Sequence, residues 1–271
     1  MSDARLPELD YDRVISEIAD FIVRIVADAG CRGVVIGLSG GLDSSVTCAL
    51  AVKALGGDRV TALIMPDSSV TPPGDVEDAK KLVEIFGLES HFVDIKTPYD
   101  AFAKALPFYD EAANIANANL RARLRMITLY YYANLKNLLV CGTGDRSELL
   151  LGYFTKYGDG GVDFLPIGDL YKTQVRQLAR KLGLPKVIVE KPSSPALLPG
   201  QTAEGELGAS YEEIDQVLYL YVDLGKSAEE IIRETGIPEN KVQAIIRRIQ
   251  LNEHKRKMPP IAKISKNIEK D

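Results

Sequence analysis

A chain of 271 residues, 46% apolar and 26% charged, has the make-up of a globular protein with room for one sizeable core. Its net charge of −5 argues against a nucleic-acid partner, because phosphates call for a basic surface. No apolar run approaches the roughly 20 residues a membrane span needs, so no membrane partner is expected. The opening Met-Ser-Asp-Ala-Arg has no apolar stretch behind it, so no secretory route is expected either and the chain reads as cytoplasmic. Cys31, Cys48 and Cys141 are odd in number and none sits in a C-x-x-C pair, which suits reduced core residues. Two histidines are too few for a His-rich metal site.

Residues 10–29 carry Val14, Ile15, Ile18, Phe21, Ile22, Ile25 and Val26 at helical spacing. Asp10 or Asp12 is the expected cap and Gly30 the expected stop. Residues 33–38 then read as a buried strand, which runs into Gly37-Leu38-Ser39-Gly40-Gly41-Leu42-Asp43-Ser44-Ser45. A strand, a Ser-Gly-Gly turn and a helix start aim several backbone N–H groups at one point, which makes an anion site. The glycines let the backbone approach without a Cβ, and Ser39, Ser44 and Ser45 add hydroxyls. Asp43 adds a carboxylate that suits a metal beside a phosphate. The Gly-Lys-Ser/Thr ending of a Walker A loop is missing.

Further strands are expected at 59–65, 90–95 and 137–142, with helices at 43–56, 75–86 and about 110–136. Such alternation indicates a parallel sheet covered on both faces. The fold class expected is therefore α/β: a Rossmann-like doubly wound parallel sheet of about five strands, with a helical C-terminal segment. Ligands in such sheets lie beyond the carboxyl ends of the strands, so the Ser39 turn and Gly142-Thr143-Gly144-Asp145 are expected to line one cleft. Within the long helix Arg121, Arg123 and Arg125 cannot form one patch. Two residues turn about 200°, so 123 faces away from 121 and 125. Residues 152–168 are rich in glycine and aromatics and read as a long ordered loop. A helix at 169–182, a loop over 191–202 and helices at 211–224, 227–235 and 239–256 follow. Residues 1–271 read as one domain whose last stretch, about 259–271, is a frayed tail.

The Ser-Gly-Gly-x-Asp-Ser loop resembles the loop of ATP pyrophosphatases that release pyrophosphate and transfer AMP. Five further motifs make the resemblance narrower: Asn119 to Met126, Gly142-Thr143 to Ser147-Glu148, Gly152 to Asp159, Pro166 to Lys172, and Gly200-Gln201-Thr202 with Glu206-Leu207-Gly208. With His254-Lys255-Arg256 near the end, nearly the whole chain resembles ammonia-dependent NAD synthetase. That resemblance implies ATP-dependent amidation of deamido-NAD by ammonia through an acyl adenylate. It implies Mg²⁺ held by Asp43 and Glu148, with Lys172 as a third catalytic residue. It implies ATP on Gly37, Leu38, Ser39, Gly40, Gly41, Leu42, Asp43, Ser44, Thr143, Lys172 and Ser194. Deamido-NAD would meet Arg123, Lys156, Asp163, His254 and Lys255. The lysine at the start of a helix, disfavoured there by the dipole, makes sense beside a phosphate.

Family members are homodimers with the dinucleotide site at the subunit interface. Leu120, Leu124, Ile127, Tyr130, Tyr131 and Leu135 would give an apolar face for that, or a core-facing stripe. Only about 30 residues precede the phosphate loop, which leaves no room there for a glutamine amidase, so ammonia is the implied nitrogen donor. Two departures stand out. Ala203 replaces a common aspartate, and Leu42 stands where glutamine is frequent, its side chain expected off the phosphate path. Related tRNA thiolases need reactive cysteines and a basic surface, which this chain lacks, and no GMP-synthetase-like dimerisation domain is evident. A non-catalytic nucleotide sensor would have fitted the loss of Asp43 or Glu148, and both are present.

Overall fold

The computed structural model describes residues 5–194 and 202–262. In chain order it runs α1 (Tyr11–Asp28), β1 (Val34–Gly37), α2 (Leu42–Leu55), β2 (Val60–Ile64), α3 (Pro73–Phe86) and β3 (Glu89–Phe92). Next come α4 (Lys96–Ala105), α5 (Asn114–Lys136), β4 (Leu139–Val140), α6 (Arg146–Leu151), α7 (Lys172–Lys181) and α8 (Lys186–Val189). The last elements are α9 (Ala203–Leu207), α10 (Tyr211–Leu218), α11 (Ala228–Thr235), α12 (Glu239–Leu251) and α13 (Glu253–Arg256).

The strands pair in parallel in the order β3-β2-β1-β4. Side chains of β1 and β2 alternate between two cores, as the period of two requires. Val34, Ile36, Val60, Ala62 and Ile64 pack with α1, α2 and α7, while Val35, Leu63 and Met65 pack with α5. Helices therefore cover both faces, as expected. The chain leaves β1 for β2 and β3, then crosses back to β4 on the other side. Its switch point lies between β1 and β4, where a crevice opens at the carboxyl ends.

About five strands were expected and four are paired. The fifth place is held by a single parallel bridge, Cys141 to Phe164. The Val140 N–H is taken by the Asp163 side chain at 2.7 Å, and Pro166 has no N–H with which to continue the ladder. β3 is an exposed edge rather than a buried apolar strand. Asp10 caps α1, accepting from Asp12 N and Arg13 N. The helix expected over 211–224 passes into a π turn at Tyr219–Asp223, and that over 239–256 breaks at Asn252. Residues 152–168 hold neither helix nor strand, matching the expected loop. Residues 259–262 are irregular, and the rest of the expected tail lies outside the described residues.

A third apolar cluster joins α6, α10, α11 and α12 through Leu151, Tyr211, Ile214, Leu218, Ile231, Val242 and Ile246. It seats the C-terminal helices against the β4 side of the crevice. No helix among the described residues is long and apolar enough to cross a membrane.

Candidate active site

The turn after β1 is built for close approach. Gly40 has φ +76°, and a Cβ there would lie 2.1 Å from the Asp75 carbonyl of α3, so only glycine fits. Inside the turn Ser39 N and Ser39 Oγ both meet Ser44 Oγ, at 3.3 and 3.0 Å, and Gly41 N donates to Ser39 Oγ at 3.3 Å. Ser45 is drawn away, its hydroxyl donating to the Gly41 carbonyl at 2.6 Å. Leu42 packs its side chain into the core. Gly37 ends β1, and Leu38 is buried behind the turn.

The turn after β4 brings the acids. Asp145 caps α6 by accepting from Glu148 N at 2.8 Å, and Glu148 Oε2 reaches back to Asp145 N, which completes a capping box. Thr143, half buried, precedes it. Lys172 opens α7, and its side chain is wholly buried. Its Nζ lies 2.7 Å from Asp43 Oδ2, 2.9 Å from Asp145 Oδ2 and 2.9 Å from Glu148 Oε1. The Tyr211 ring lies 5.3 Å below the ammonium. One cation thus ties the carboxyl end of β4 to the first turn of α2.

The cost of a lysine at a helix start is offset here by these three acids. Burial works against the Lys172 ammonium, but Asp145, Asp43 and Glu148 together outweigh it and hold its pKa well above the ordinary value. Burial pushes the Asp145 and Glu148 carboxyls upward, with Lys172 opposing. Beneath them sits Asp215 of α10, fully buried. It accepts from Ser147 Oγ at 2.5 Å and from Thr173 N and Oγ1 at 2.8 and 2.7 Å. Ser147 Oγ in turn accepts from Lys172 N at 2.9 Å. Sequence reasoning missed Asp145 and Asp215. The Asp-x-x-Glu spacing of a capping box would have exposed the first; nothing local marks the second.

The residues present fit a divalent cation. Asp43 Oδ1 is buried without a hydrogen-bond partner among the described residues, and the Asp43 and Glu148 side chains each keep 21% of their surface open. No group of three or more acids, His or Cys among the described residues is disposed to hold a metal alone. The Asp43 and Glu148 carboxylates are a donor set that a hard ion such as Mg²⁺ could take, with its other ligands from phosphate and water.

A basic cluster forms where the loop over 152–168 meets α13. Lys255 Nζ donates to the Gly152 and Phe154 carbonyls at 2.7 and 2.8 Å, Lys156 Nζ donates to the His254 carbonyl at 2.8 Å, and Arg123 reaches the Lys156 carbonyl at 3.3 Å. Four of the five residues expected on the dinucleotide therefore come together. For His254 the contact is its carbonyl, while the ring is exposed. Asp163 stands apart, accepting from Val140 N and Tyr130 OH at the sheet edge. The expected division of the arginines holds. Arg121 pairs with buried Asp67 at 2.6 Å, Arg125 donates to the Met65 carbonyl at 2.8 Å, and Arg123 faces outward.

Ser194 is exposed at the edge of the described segment, and Gly200 and Gln201 lie outside it. Ala203 is 2% exposed, in a place that suits a methyl group and would bury an acid.

Residues 14–259 match the model of the family described as NAD synthase. This chain belongs to the NAD synthase family. It is 57% identical over 247 residues to the NH3-dependent NAD⁺ synthetase of Pyrobaculum aerophilum, covering 91% of each chain. Its fold is similar to that of the NMN synthetase from Francisella tularensis, at TM-score 0.83 and 34% identity over 94% of this chain and 99% of that one. It is likewise similar to the NH3-dependent NAD synthetase from Campylobacter jejuni, at TM-score 0.80 and 34% identity over 94% and 100%.

Proposed function

We propose that this chain catalyses the ATP-dependent amidation of deamido-NAD to NAD with ammonia, releasing AMP and pyrophosphate. The observation that carries it is the meeting of the Ser39–Ser44 turn with the Asp43–Lys172–Glu148 cluster at the β1/β4 switch point. Relatives more than 50% identical over nine-tenths of the chain support the substrate assignment.

The nicotinate carboxylate is a poor electrophile until its oxygen bonds to the α-phosphorus of ATP and pyrophosphate leaves. Ammonia then adds to the acyl carbon and AMP departs. The turn N–H groups and the Ser39 and Ser44 hydroxyls would bind the departing phosphates. Lys172 would set a buried positive charge beside them while holding Asp43 and Glu148 in place. When bound, Mg²⁺ on Asp43 and Glu148 would supply charge neutralisation for pyrophosphate. Gly37 to Ser44, Thr143 and Ser194 are assigned to ATP. Arg123, Lys156, His254 and Lys255 are assigned to the dinucleotide, and so is Asp163, from its separate place at the sheet edge.

We also propose a homodimer, supported by Ile127, Tyr131 and Leu135, which lie at i, i+4, i+8 on α5 and are 57%, 72% and 64% exposed. Tyr130 belongs instead to the core side. Sedimentation as a monomer at assay concentration would remove that reading.

The deciding experiment is product analysis with Mg-ATP, ammonium and either deamido-NAD or nicotinate mononucleotide, with glutamine replacing ammonium in parallel. NAD and AMP are expected from ammonium and deamido-NAD. Preference for the mononucleotide would instead place the chain with the Francisella tularensis enzyme, the alternative that its fold similarity raises.

A further inference from the structure

Lys191 lies three residues before Ser194, in the segment that follows α8, and its ammonium closes over the phosphate turn. Nζ donates to the Gly40 carbonyl at 3.0 Å, to Asp75 Oδ1 at 2.9 Å and to Asp78 Oδ2 at 2.7 Å, which uses all three of its protons. Asp78 is itself 7% exposed, and the Lys191 side chain keeps only 21% of its surface. Both acids stand on α3, whose Asp75 carbonyl already presses against Gly40 from the same side.

A trans peptide holds its C=O and N–H on opposite sides of one plane. With the Gly40 carbonyl turned onto Lys191, the N–H of the same peptide, that of Gly41, must point the other way. There it meets Ser39 Oγ, which is 3.0 Å from Ser44 Oγ. The face opposite Lys191 is thus the donor face of the turn.

We propose that Lys191 is a positioning residue for the phosphate turn: by holding the Gly40 carbonyl against α3 it keeps the Gly41 N–H and the Ser39 and Ser44 hydroxyls facing the pyrophosphate portion of ATP. The proposal rests on the reading of this turn as the ATP site. Lys191 touches no phosphate in it; the effect passes through one peptide plane. A lysine that merely braced α3 would alter stability and leave nucleotide affinity alone.

The test compares the full chain with Lys191→Met and Lys191→Arg, using steady-state kinetics and calorimetric binding of inorganic pyrophosphate. Loss of one charge-assisted hydrogen bond should raise the KM for Mg-ATP and the Kd for pyrophosphate by roughly tenfold in Lys191→Met. The KM for deamido-NAD should move less than twofold and kcat less than threefold, the pattern of lost uniform binding. Lys191→Arg, which keeps a donor, should return both constants to within threefold. If Lys191→Met does not fold by circular dichroism, Asp78→Asn takes its place. It loosens the ammonium's anchor, with about a threefold rise expected in the same two constants. Unchanged pyrophosphate affinity in a folded variant, or an equal rise in both substrates' KM, overturns the proposal. An unaltered chain that binds pyrophosphate but makes no NAD sinks the substrate assignment and leaves the Lys191 comparison to be decided by calorimetry.

Discussion

Lys172 and Lys156 stand in two polar clusters of this molecule, one acidic and one basic, and they are held in opposite ways. Lys172 is wholly buried and pairs with three carboxylates at the starts of two helices, α2 and α6, that follow different strands. Lys156 is half-buried, and its ammonium donates to a neutral carbonyl, that of His254. A buried ammonium among acids is fixed by mutual need: remove one charge and the rest stand uncompensated in a medium that solvates them poorly. A partly exposed ammonium on a carbonyl can exchange that partner for water or for a ligand oxygen at lower cost. On the proposed assignment, the first arrangement would be preassembled for phosphate chemistry and the second would be free to adapt to a substrate.

The largest expected difference is in stability. Lys172→Met leaves Asp43, Asp145 and Glu148 without their shared cation. Breaking a buried ionic cluster of this kind costs about 3–5 kcal/mol. Lys156→Met should stay within about 0.5 kcal/mol of the parent, as surface changes do. Urea unfolding of the two variants side by side measures this. A loss below about 1 kcal/mol in Lys172→Met would mean that the acids relax apart, and the preassembled centre would be a wrong description.

Asp215 extends the contrast downward, since it has no cation of its own and lies buried on hydroxyls and one N–H. Burial raises its pKa from the ordinary 3.8 to about 6, worth about 3 kcal/mol. The folded carboxyl keeps its proton to higher pH than the unfolded one. Its contribution is therefore fully present below pH 4 and lost as pH rises through 6. Asp215→Asn should remove that slope, so the stability gap between variant and parent narrows between pH 4 and pH 7. Parallel curves across that range would show that Asp215 is ionised throughout.

Asp43→Asn and Glu148→Gln should each slow AMP formation by more than tenfold, because each removes a carboxylate assigned to Mg²⁺ beside the leaving pyrophosphate. Normal AMP formation in both variants would withdraw the metal assignment and leave these acids only the task of holding Lys172.

The two clusters differed in how far they could be read from the chain. The turn after β1 was legible because its residues are local: two glycines, three serines and an acid lie within the seven residues Ser39 to Ser45, at the end of an apolar run. Opposed faces for Arg121 and Arg123 followed from helix geometry alone, and Asp67 and the Lys156 carbonyl now occupy those faces. The short helix α4 escaped because it buries only Tyr99 and Ala103. The fifth strand failed through a side chain, Asp163, taking a backbone donor that a ladder would need. Asp215 was invisible for a different reason. It stands 68 residues from Ser147 and 42 from Thr173, and its role exists only once α10 has packed beneath α6 and α7.

The smallest expected effect tests the adaptable side. Lys156→Ala removes an ammonium whose bond to the His254 carbonyl links the loop over 152–168 to the end of the chain. Lys255 holds the same junction through Gly152 and Phe154, so the loop should keep its path. What is lost is a cation near Arg123, on the residues assigned to the dinucleotide. The KM for deamido-NAD should rise about fivefold, the weight of one exposed charge contact of about 1 kcal/mol. The KM for ATP should stay within twofold. A selective rise for ATP would mean that this loop serves the nucleotide triphosphate. The basic cluster would then be part of the phosphate machinery, and the contrast between a fixed centre and an adaptable one would fall.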